Sequence, residues 1–168
     1  YCTGGKNDGI HDFGNQCKVY VVGWDGSGNK QISSNGYLTS LWTDGSGEEW
    51  AVAMKSNRGS FFKVPVHGGN EVTITNKLSG GRADLQLSAD GKRACHSAGS
   101  GNTGWIDLTN GTVSNKGGGC RASMAPDNSY RWSHLNGGHN GIQTYVGDAR
   151  KSNIGMGAQG YYPRWTNK

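Results

Sequence analysis

Apolar and polar residues alternate with a period of two over several short segments of the chain. Residues 84–88 alternate cleanly, and Glu49–Met54 has the composition of a strand with a buried face. The same reasoning predicts strands in five further segments, which are 17–22, 36–42, 61–66, 71–75 and 141–146. No long window has the period of an amphipathic helix, and at most one helical turn is predicted, near residues 123–128.

Turn signals separate the predicted strands. They are the Asp-Gly and Asn-Gly dipeptides at positions 25–26, 35–36, 44–45, 90–91 and 110–111. These residues tolerate the positive φ angles that tight hairpin turns require. Short strands with turns at this spacing predict one all-β domain over residues 1–168, a β-sandwich or jelly-roll-like barrel of roughly 8–11 strands. A β-trefoil is the alternative.

Two turn sequences resemble each other and predict related hairpins. Residues 24–29 are Trp-Asp-Gly-Ser-Gly-Asn, and residues 43–48 are Thr-Asp-Gly-Ser-Gly-Glu. A calcium loop would need more oxygen ligands at alternate positions and a terminal bidentate glutamate, which neither segment supplies. Hairpin turns are therefore the favoured interpretation, and neither a metal nor a cofactor is predicted.

The chain is poor in aliphatic side chains and rich in glycine. Hydrophobic residues make up 33% of its 168 residues, beside 30 glycines and six tryptophans, so large rings are expected to carry much of the core. The region from about residue 99 onward has glycine clusters and few aliphatic residues, which predicts long loops that serve recognition.

The charge pattern disfavours a nucleic-acid site. The formal net charge is +5, but the basic residues are scattered singly along the chain. Because no run of 18 apolar residues is present, no membrane-spanning segment is predicted.

Four cysteines with irregular spacing predict two disulfides and a secreted, extracellular protein. They are Cys2, Cys17, Cys95 and Cys120. Three pairings are possible, and we favour Cys2–Cys17 with Cys95–Cys120, each contributing about 2–4 kcal/mol. The sequon at Asn110 fits glycosylation in the same compartment, and the start at Tyr1 has the form of a mature terminus left by a signal peptidase.

A polar and aromatic segment near the C-terminus supplies the candidate ligand contacts. The six residues selected are Trp132, His134, Asn136, His139, Tyr145 and Trp165. Rings of this kind stack on the apolar faces of sugars, while amide and imidazole groups direct hydrogen bonds. The alternative is that Trp132 and Trp165 are core rings that replace missing aliphatic residues. The histidines at 134 and 139 form a possible metal pair, but no third ligand is evident.

The sequence leaves catalysis open and favours a non-enzymatic role. Paired carboxylates for glycoside hydrolysis are poorly supported, because Glu48 and Glu49 are adjacent and point to opposite faces of a strand. A small secreted nuclease is the main alternative, with groups drawn from Glu49, His67, Arg82 and His96. A hydrolase inhibitor on the same scaffold is a further alternative.

In its layout the chain resembles small secreted proteins of fungi, including effectors and elicitors. The resemblance is carried by Cys2 with Cys17, by Cys95 with Cys120, and by Asn/Gly/Ser-rich turns between aromatic strands. It implies an extracellular protein that meets another organism, with plant defence elicitation as an activity. We therefore expect a binding protein whose partner is an extracellular glycan or a host protein.

Overall fold

The computed structural model describes residues 2–3, 17–55, 60–78, 84–98, 102–157, 160 and 165, and these residues fold entirely as β-strands, turns and connecting segments. The strands among them are β1 (Cys2–Thr3), β2 (Lys18–Val21), β3 (Lys30–Ser33), β4 (Tyr37–Thr43), β5 (Glu49–Met54), β6 (Phe61–Pro65), β7 (Val72–Thr75), β8 (Leu85–Leu87), β9 (Arg93–Ala98), β10 (Asn102–Asp107), β11 (Val113–Met124), β12 (Arg131–Asn136), β13 (Gly141–Val146) and β14 (Ala149–Gly155). Within this part of the chain there is no helix that could cross a membrane.

The strands form three antiparallel sheets, and sequence neighbours pair in each. Sheet A has the order β1-β2-β3, and sheet B has the order β4-β5-β6-β7. The third sheet runs β14-β13-β12-β11-β10-β9-β8. Its β8 side, as far as residue 118 of β11, is called sheet C, and the remainder is called sheet D.

Sheets C and D share β11 because that strand changes partner along its length. Its first part pairs with β10, up to Gly118, and its second part pairs with β12, from Gly119. The register shifts between Cys120 and Ser123, and Arg121 between them has a φ of 57°. An extra residue of this kind is a β-bulge, which bends and twists a strand. The bulge therefore divides seven strands into two layers.

Three hydrophobic cores separate the layers. The A–B core contains Val19, Ala51, Ala53, Phe62 and Val64. The B–C core contains Val52, Met54, Phe61, Leu78, Leu85, Ala94 and Ile106. The C–D core contains Cys95, Ala122, Met124, Trp132 and Tyr145. Sheets B and C are thus buried on both faces, and each layer packs against the next.

The first strands of successive layers lie side by side. Ser40 Oγ on β4 donates to Leu85 O at 2.7 Å, and Trp42 Nε1 donates to Ser88 O at 2.9 Å. Because the residue numbers of both partners increase from the first hydrogen bond to the second, β4 and β8 run in the same direction. We call β4, β8 and residues 119–124 of β11 the inner strands. Antiparallel sheets repeated around such a line resemble the blades of a β-propeller.

The all-β prediction is confirmed, and its finer form only in part. The layers pack face to face, as in a β-sandwich, but the described residues contain no closed barrel, which both the jelly-roll-like barrel and the β-trefoil would need. Two predicted strands, β5 and β13, have the predicted bounds. The prediction of long C-terminal loops is wrong, because residues 102–157 are mostly strands. The helical turn near residues 123–128 is also wrong, since β11 extends to Met124.

The predicted Cys95–Cys120 disulfide is absent, and the fold gives the reason. Cys95 lies in the C–D core, whereas Cys120 pairs in register with Leu135. Leu135 alternates with Trp132 and His134, which share one face of sheet D, so Cys120 faces away from the C–D core. No disulfide joins the three cysteines whose side chains are described. The other predicted pairing involves Cys2, whose side chain lies outside the described residues.

A glycine at the entrance to β4 tests the packing of the A–B core. A Cβ at Gly36 would lie 2.5 Å from Cζ of Phe62, a ring that is fully buried. We expect Gly36→Ala to lower the free energy of unfolding by about 1–3 kcal/mol, because the ring must move in a filled core. Urea denaturation measures the change.

Gly45→Ala is the matched control, since a Cβ there meets nothing within 4 Å. Its effect should stay within about 0.5 kcal/mol. Equal effects of the two substitutions would contradict the packing described for Phe62.

Candidate functional site

A cavity of about 610 Å³ lies where the inner strands meet, and we call it the inner-strand cavity. Twelve residues line it, and they belong to the inner strands, to the turns that follow two of these strands, and to the position of Trp165. They are Thr39, Ser40, Leu41, Trp42, Thr43, Gln86, Leu87, Ala89, Ser123, Met124, Pro126 and Trp165. The first strand of each of sheets B, C and D thus contributes to one site, and Trp165 adds a fourth wall.

The lining repeats from one inner strand to the next. Each inner strand leads into a turn whose first anchoring residue is an aspartate, namely Asp44, Asp90 or Asp127. The residues three positions before these aspartates all line the cavity and are Leu41, Leu87 and Met124. The residues one position before them also line it and are Thr43, Ala89 and Pro126. Equivalent positions of a structural repeat therefore converge on the same space.

The aspartates hold the turns by accepting backbone hydrogen bonds two residues ahead. Asp44 Oδ1 accepts from Ser46 N at 2.9 Å, and Asp127 Oδ1 accepts from Ser129 N at 2.9 Å. The Ser46 hydroxyl and then the Trp50 indole hydrogen bond to Asp44 and lower the pKa of its carboxyl to about 2. This carboxylate is ionised and committed to the turn, so its role is structural and not that of a general acid or base.

Side chains of the cavity wall also hold neighbouring inner strands together. Gln86 Oε1 accepts from Met124 N at 3.1 Å, which joins β8 to β11. Trp165 Nε1 donates to Ser123 O at 3.0 Å, and its backbone N donates to Ser123 Oγ at 3.4 Å. Ser40, Gln86 and Ser123, which occupy equivalent positions, thus each bond to the backbone of the following segment. The wall is cross-linked and carries no formal charge among the residues that line it.

Three of the six predicted ligand contacts are packed inside the C–D interface. The Trp132 and Tyr145 rings stack with centroids 4.4 Å apart, and His134 stacks on Trp132 at 5.5 Å. Trp132 is 0% exposed, His134 1% and Tyr145 5%. A ring without an exposed face does not stack on a ligand, so the alternative interpretation of Trp132 as a core ring fits this geometry.

Asn136 and His139 lie on the hairpin between β12 and β13, away from the residues that line the cavity. The Asn136 side chain donates to Asn140 Oδ1 at 2.8 Å, and His139 N donates to Asn136 O at 3.0 Å. His139 Nε2 lies 2.9 Å from Cys120 Sγ. The structure therefore separates the two histidines that were considered as a metal pair, and no group of three potential metal ligands occurs in the described part of the chain.

Trp165 is the one predicted contact that lines the inner-strand cavity. Sequence reasoning missed the other lining residues because they lie in strands that were treated as core elements or not recognised. A signal for them exists in the sequence. An apolar residue stands three positions before each turn aspartate at 44, 90 and 127, and aligning the turns would have revealed it.

The residues of the nuclease alternative do not meet in one site. Glu49 is exposed at the start of β5, whereas His96 on β9 is 0% exposed. His67 is exposed in the turn after β6, and Arg82 lies outside the described residues. A buried imidazole and an exposed carboxylate on different sheets cannot act on the same phosphate.

His96 is notable for its burial without hydrogen bonds. Neither ring nitrogen has a partner among the described residues, and burial lowers the pKa of the imidazole to about 4. Burial also lowers the pKa of His134, although its Nδ1 bonds to Leu135 O at 2.7 Å. Both rings are therefore neutral at neutral pH, and their protonation opposes folding.

Comparisons with known proteins give a likeness of fold. No protein-family model and no curated protein sequence matches the chain. A chain in the crystal structure of a nidogen/laminin complex is similar with a TM-score of 0.53 and 12% identity, over 82% of this chain and 57% of that chain. The crystal structure of the N-terminal domain of Nup159 gives a TM-score of 0.48 and 10% identity, over 77% and 33%. The present chain thus spans somewhat over half and about a third of the lengths of these chains.

The buried histidine predicts acid sensitivity of the fold. We expect the titration of His96 to lower the free energy of unfolding by about 3 kcal/mol as the pH is lowered from 6.5 to about 4. Over this range the unfolded chain protonates His96 while the folded chain keeps it neutral, so stability is lost with falling pH. Urea denaturation at a series of pH values measures the slope.

His96→Leu should remove this contribution and leave the smaller slope that His134 adds. His67→Leu makes the same change at an exposed position and should leave the slope intact. An unchanged slope in His96→Leu would show that this imidazole is not buried in the neutral form.

Proposed function

We propose that the protein is a non-enzymatic binding module that holds a neutral, partly apolar ligand, such as an oligosaccharide, in the inner-strand cavity. The single observation that carries the proposal is the lining, which combines rings, hydroxyls and an amide without any formal charge. A volume of about 610 Å³ is within the usual range for small-molecule sites.

The lining suits a sugar ring better than an ion. Trp165 provides a large apolar surface, and such rings pack against the C–H faces of sugars. Trp42 adds a second ring, which carries the Lys63 ammonium 4.5 Å from its centroid. Gln86 uses its oxygen for Met124, and its amide nitrogen has no partner among the described residues. That nitrogen is a directed donor toward a neutral acceptor such as a hydroxyl group.

An extracellular setting accompanies this proposal. Asn110 is exposed in the turn between β10 and β11, and its Oδ1 accepts from Thr112 N at 2.8 Å, so the sequon is accessible to glycosylation. A Cys2–Cys17 disulfide would belong to the same setting. A module of this kind that binds a wall or host glycan would act as an effector or elicitor. Nothing in the described residues favours a hydrolase over binding.

Substitution of Gln86 tests the site without removing a structural contact. Gln86→Glu keeps the oxygen that accepts from Met124 N, but it replaces the free amide donor by a charged oxygen. We expect the fold to remain and the affinity for a neutral oligosaccharide to fall about tenfold or more, because a donor becomes an acceptor. A glycan array finds the ligand, and calorimetry compares the variants.

Gln31→Glu is the matched control, because it makes the same exchange on β3 outside the cavity. It should leave affinity unchanged. Saturable binding that both variants retain at full strength would place the ligand elsewhere, and the absence of binding to any neutral glycan would contradict the proposal.

A further inference from the structure

A second cavity, of about 320 Å³, opens between sheets A and B, and we call it the A–B notch. Its walls are mostly apolar and include Val19, Val22, Ile32, Leu41 and Ala51. The notch lies at the ends of β2 and β4 that lead into the two related turns at residues 24–29 and 43–48. It is distinct from the inner-strand cavity, although Leu41, Trp42 and Thr43 border both.

Exposed apolar side chains concentrate around this notch. Leu41 is 72% exposed and Val22 is 41% exposed, and both line it. Trp24 lies two residues beyond Val22 and is fully exposed. Single exposed apolar residues are ordinary, but a group of them beside a concave apolar surface is typical of an interaction site.

The repeat shows that Leu41 occupies a position that is covered elsewhere. Its equivalents are Leu87 and Met124, and both pack against the preceding sheet, in the B–C core and the C–D core. Leu41 faces sheet A in the same way, because it pairs with Ala51 of the A–B core. Sheet A nevertheless leaves Leu41 largely exposed. The preceding sheet therefore covers Leu87 and Met124 but does not cover Leu41, and the notch is the space that remains.

The wall of the notch carries one carboxylate, and Lys30, which pairs with Val21 of the wall, donates its Nζ hydrogen bond to His67 O at 3.2 Å. Glu49 is the one charged residue that lines it, and Asp25 lies in the adjoining turn. The serine at position 27 hydrogen bonds to Asp25 and lowers the pKa of that carboxyl. Lys63 pairs with Val52, a residue of the B–C core, so this lysine lies on the opposite face of sheet B. Glu49 therefore offers a local partner for one cationic group.

We infer that the A–B notch is a docking site for a protein segment that inserts one apolar side chain next to a lysine or arginine. The volume fits a single large side chain, which is the usual form of an interface anchor. Exposed Trp24 would extend the apolar contact, and Glu49 would pair with the flanking cation. The inference is independent of the ligand in the inner-strand cavity.

Blocked pentapeptides test the notch directly. The probes have a central leucine flanked by lysines, a central leucine flanked by glutamates, or a central serine flanked by lysines. We expect the first probe alone to bind, with NMR shifts confined to residues around Val22, Leu41 and Ala51. Equal binding of all three probes, or shifts spread over the whole protein, would overturn the inference.

Two variants that leave the other cavity intact sharpen the test. Val22→Ser should weaken the first probe roughly threefold to tenfold, and Glu49→Gln should weaken it by a similar factor at low salt. Glu48→Gln is the matched control, because Glu48 does not line the notch, and it should have little effect. Neither Val22 nor Glu49 lines the inner-strand cavity, so glycan binding should survive in both variants.

Concentration-dependent self-association that Val22→Ser abolishes would assign the notch to a second copy of the chain and would also overturn the inference. Light scattering of the wild-type protein and the variant decides this. Loss of glycan binding with intact peptide binding would refute only the proposed function, so the failure of one proposal is distinguishable from the failure of the other.

Discussion

Alternation of side chains between two hydrophobic cores is the constraint on which the rest of the structure depends. On β5, Ala51 and Ala53 enter the A–B core, while Val52 and Met54 enter the B–C core. On β9, the alanine at position 94 and the cysteine at position 95 divide in the same way between the B–C and C–D cores. A middle strand that is buried on both faces fixes the spacing of its neighbours, because a shift of one residue would exchange the two sets of side chains. A chain with few aliphatic residues can therefore build several layers.

The inner strands form the inner-strand cavity from these layers. Since each layer begins with a strand that lies beside the first strand of the next, equivalent side chains from successive layers converge on one cavity. Ser40 donates to the backbone of β8, Gln86 accepts from the backbone of β11, and Ser123 accepts from the backbone of Trp165, so these bonds fix the wall before any ligand arrives. A preformed wall would lower the entropic cost of binding the proposed neutral ligand.

Sequence reasoning captured the strands that follow simple patterns and missed those that glycine and polar residues build. Glu49–Met54 and Gly141–Val146 were predicted with the bounds that the structure has. The strands around Gly104 were not, because a Cβ there would lie 2.0 Å from Ser114 O, and this close backbone approach leaves no hydrophobic pattern. For the site, burial decided the outcome. Trp132 and Trp165 have the same side chain. The residues that surround each ring in the fold decide that Trp132 belongs to the C–D core and that Trp165 lines the inner-strand cavity.

The most direct test of this account is the environment of two indole protons, measured by NMR on the ¹⁵N-labelled protein. Trp42 Nε1 donates to Ser88 O, so its proton joins β4 to the end of β8, and Trp165 Nε1 donates to Ser123 O, so its proton joins Trp165 to β11. The account predicts slow exchange of both protons with water and nuclear Overhauser effects from each indole to the backbone of its partner strand. Rapid exchange of both protons without such effects would show that β4 does not lie beside β8 and that Trp165 does not cover β11, and the cavity would not exist.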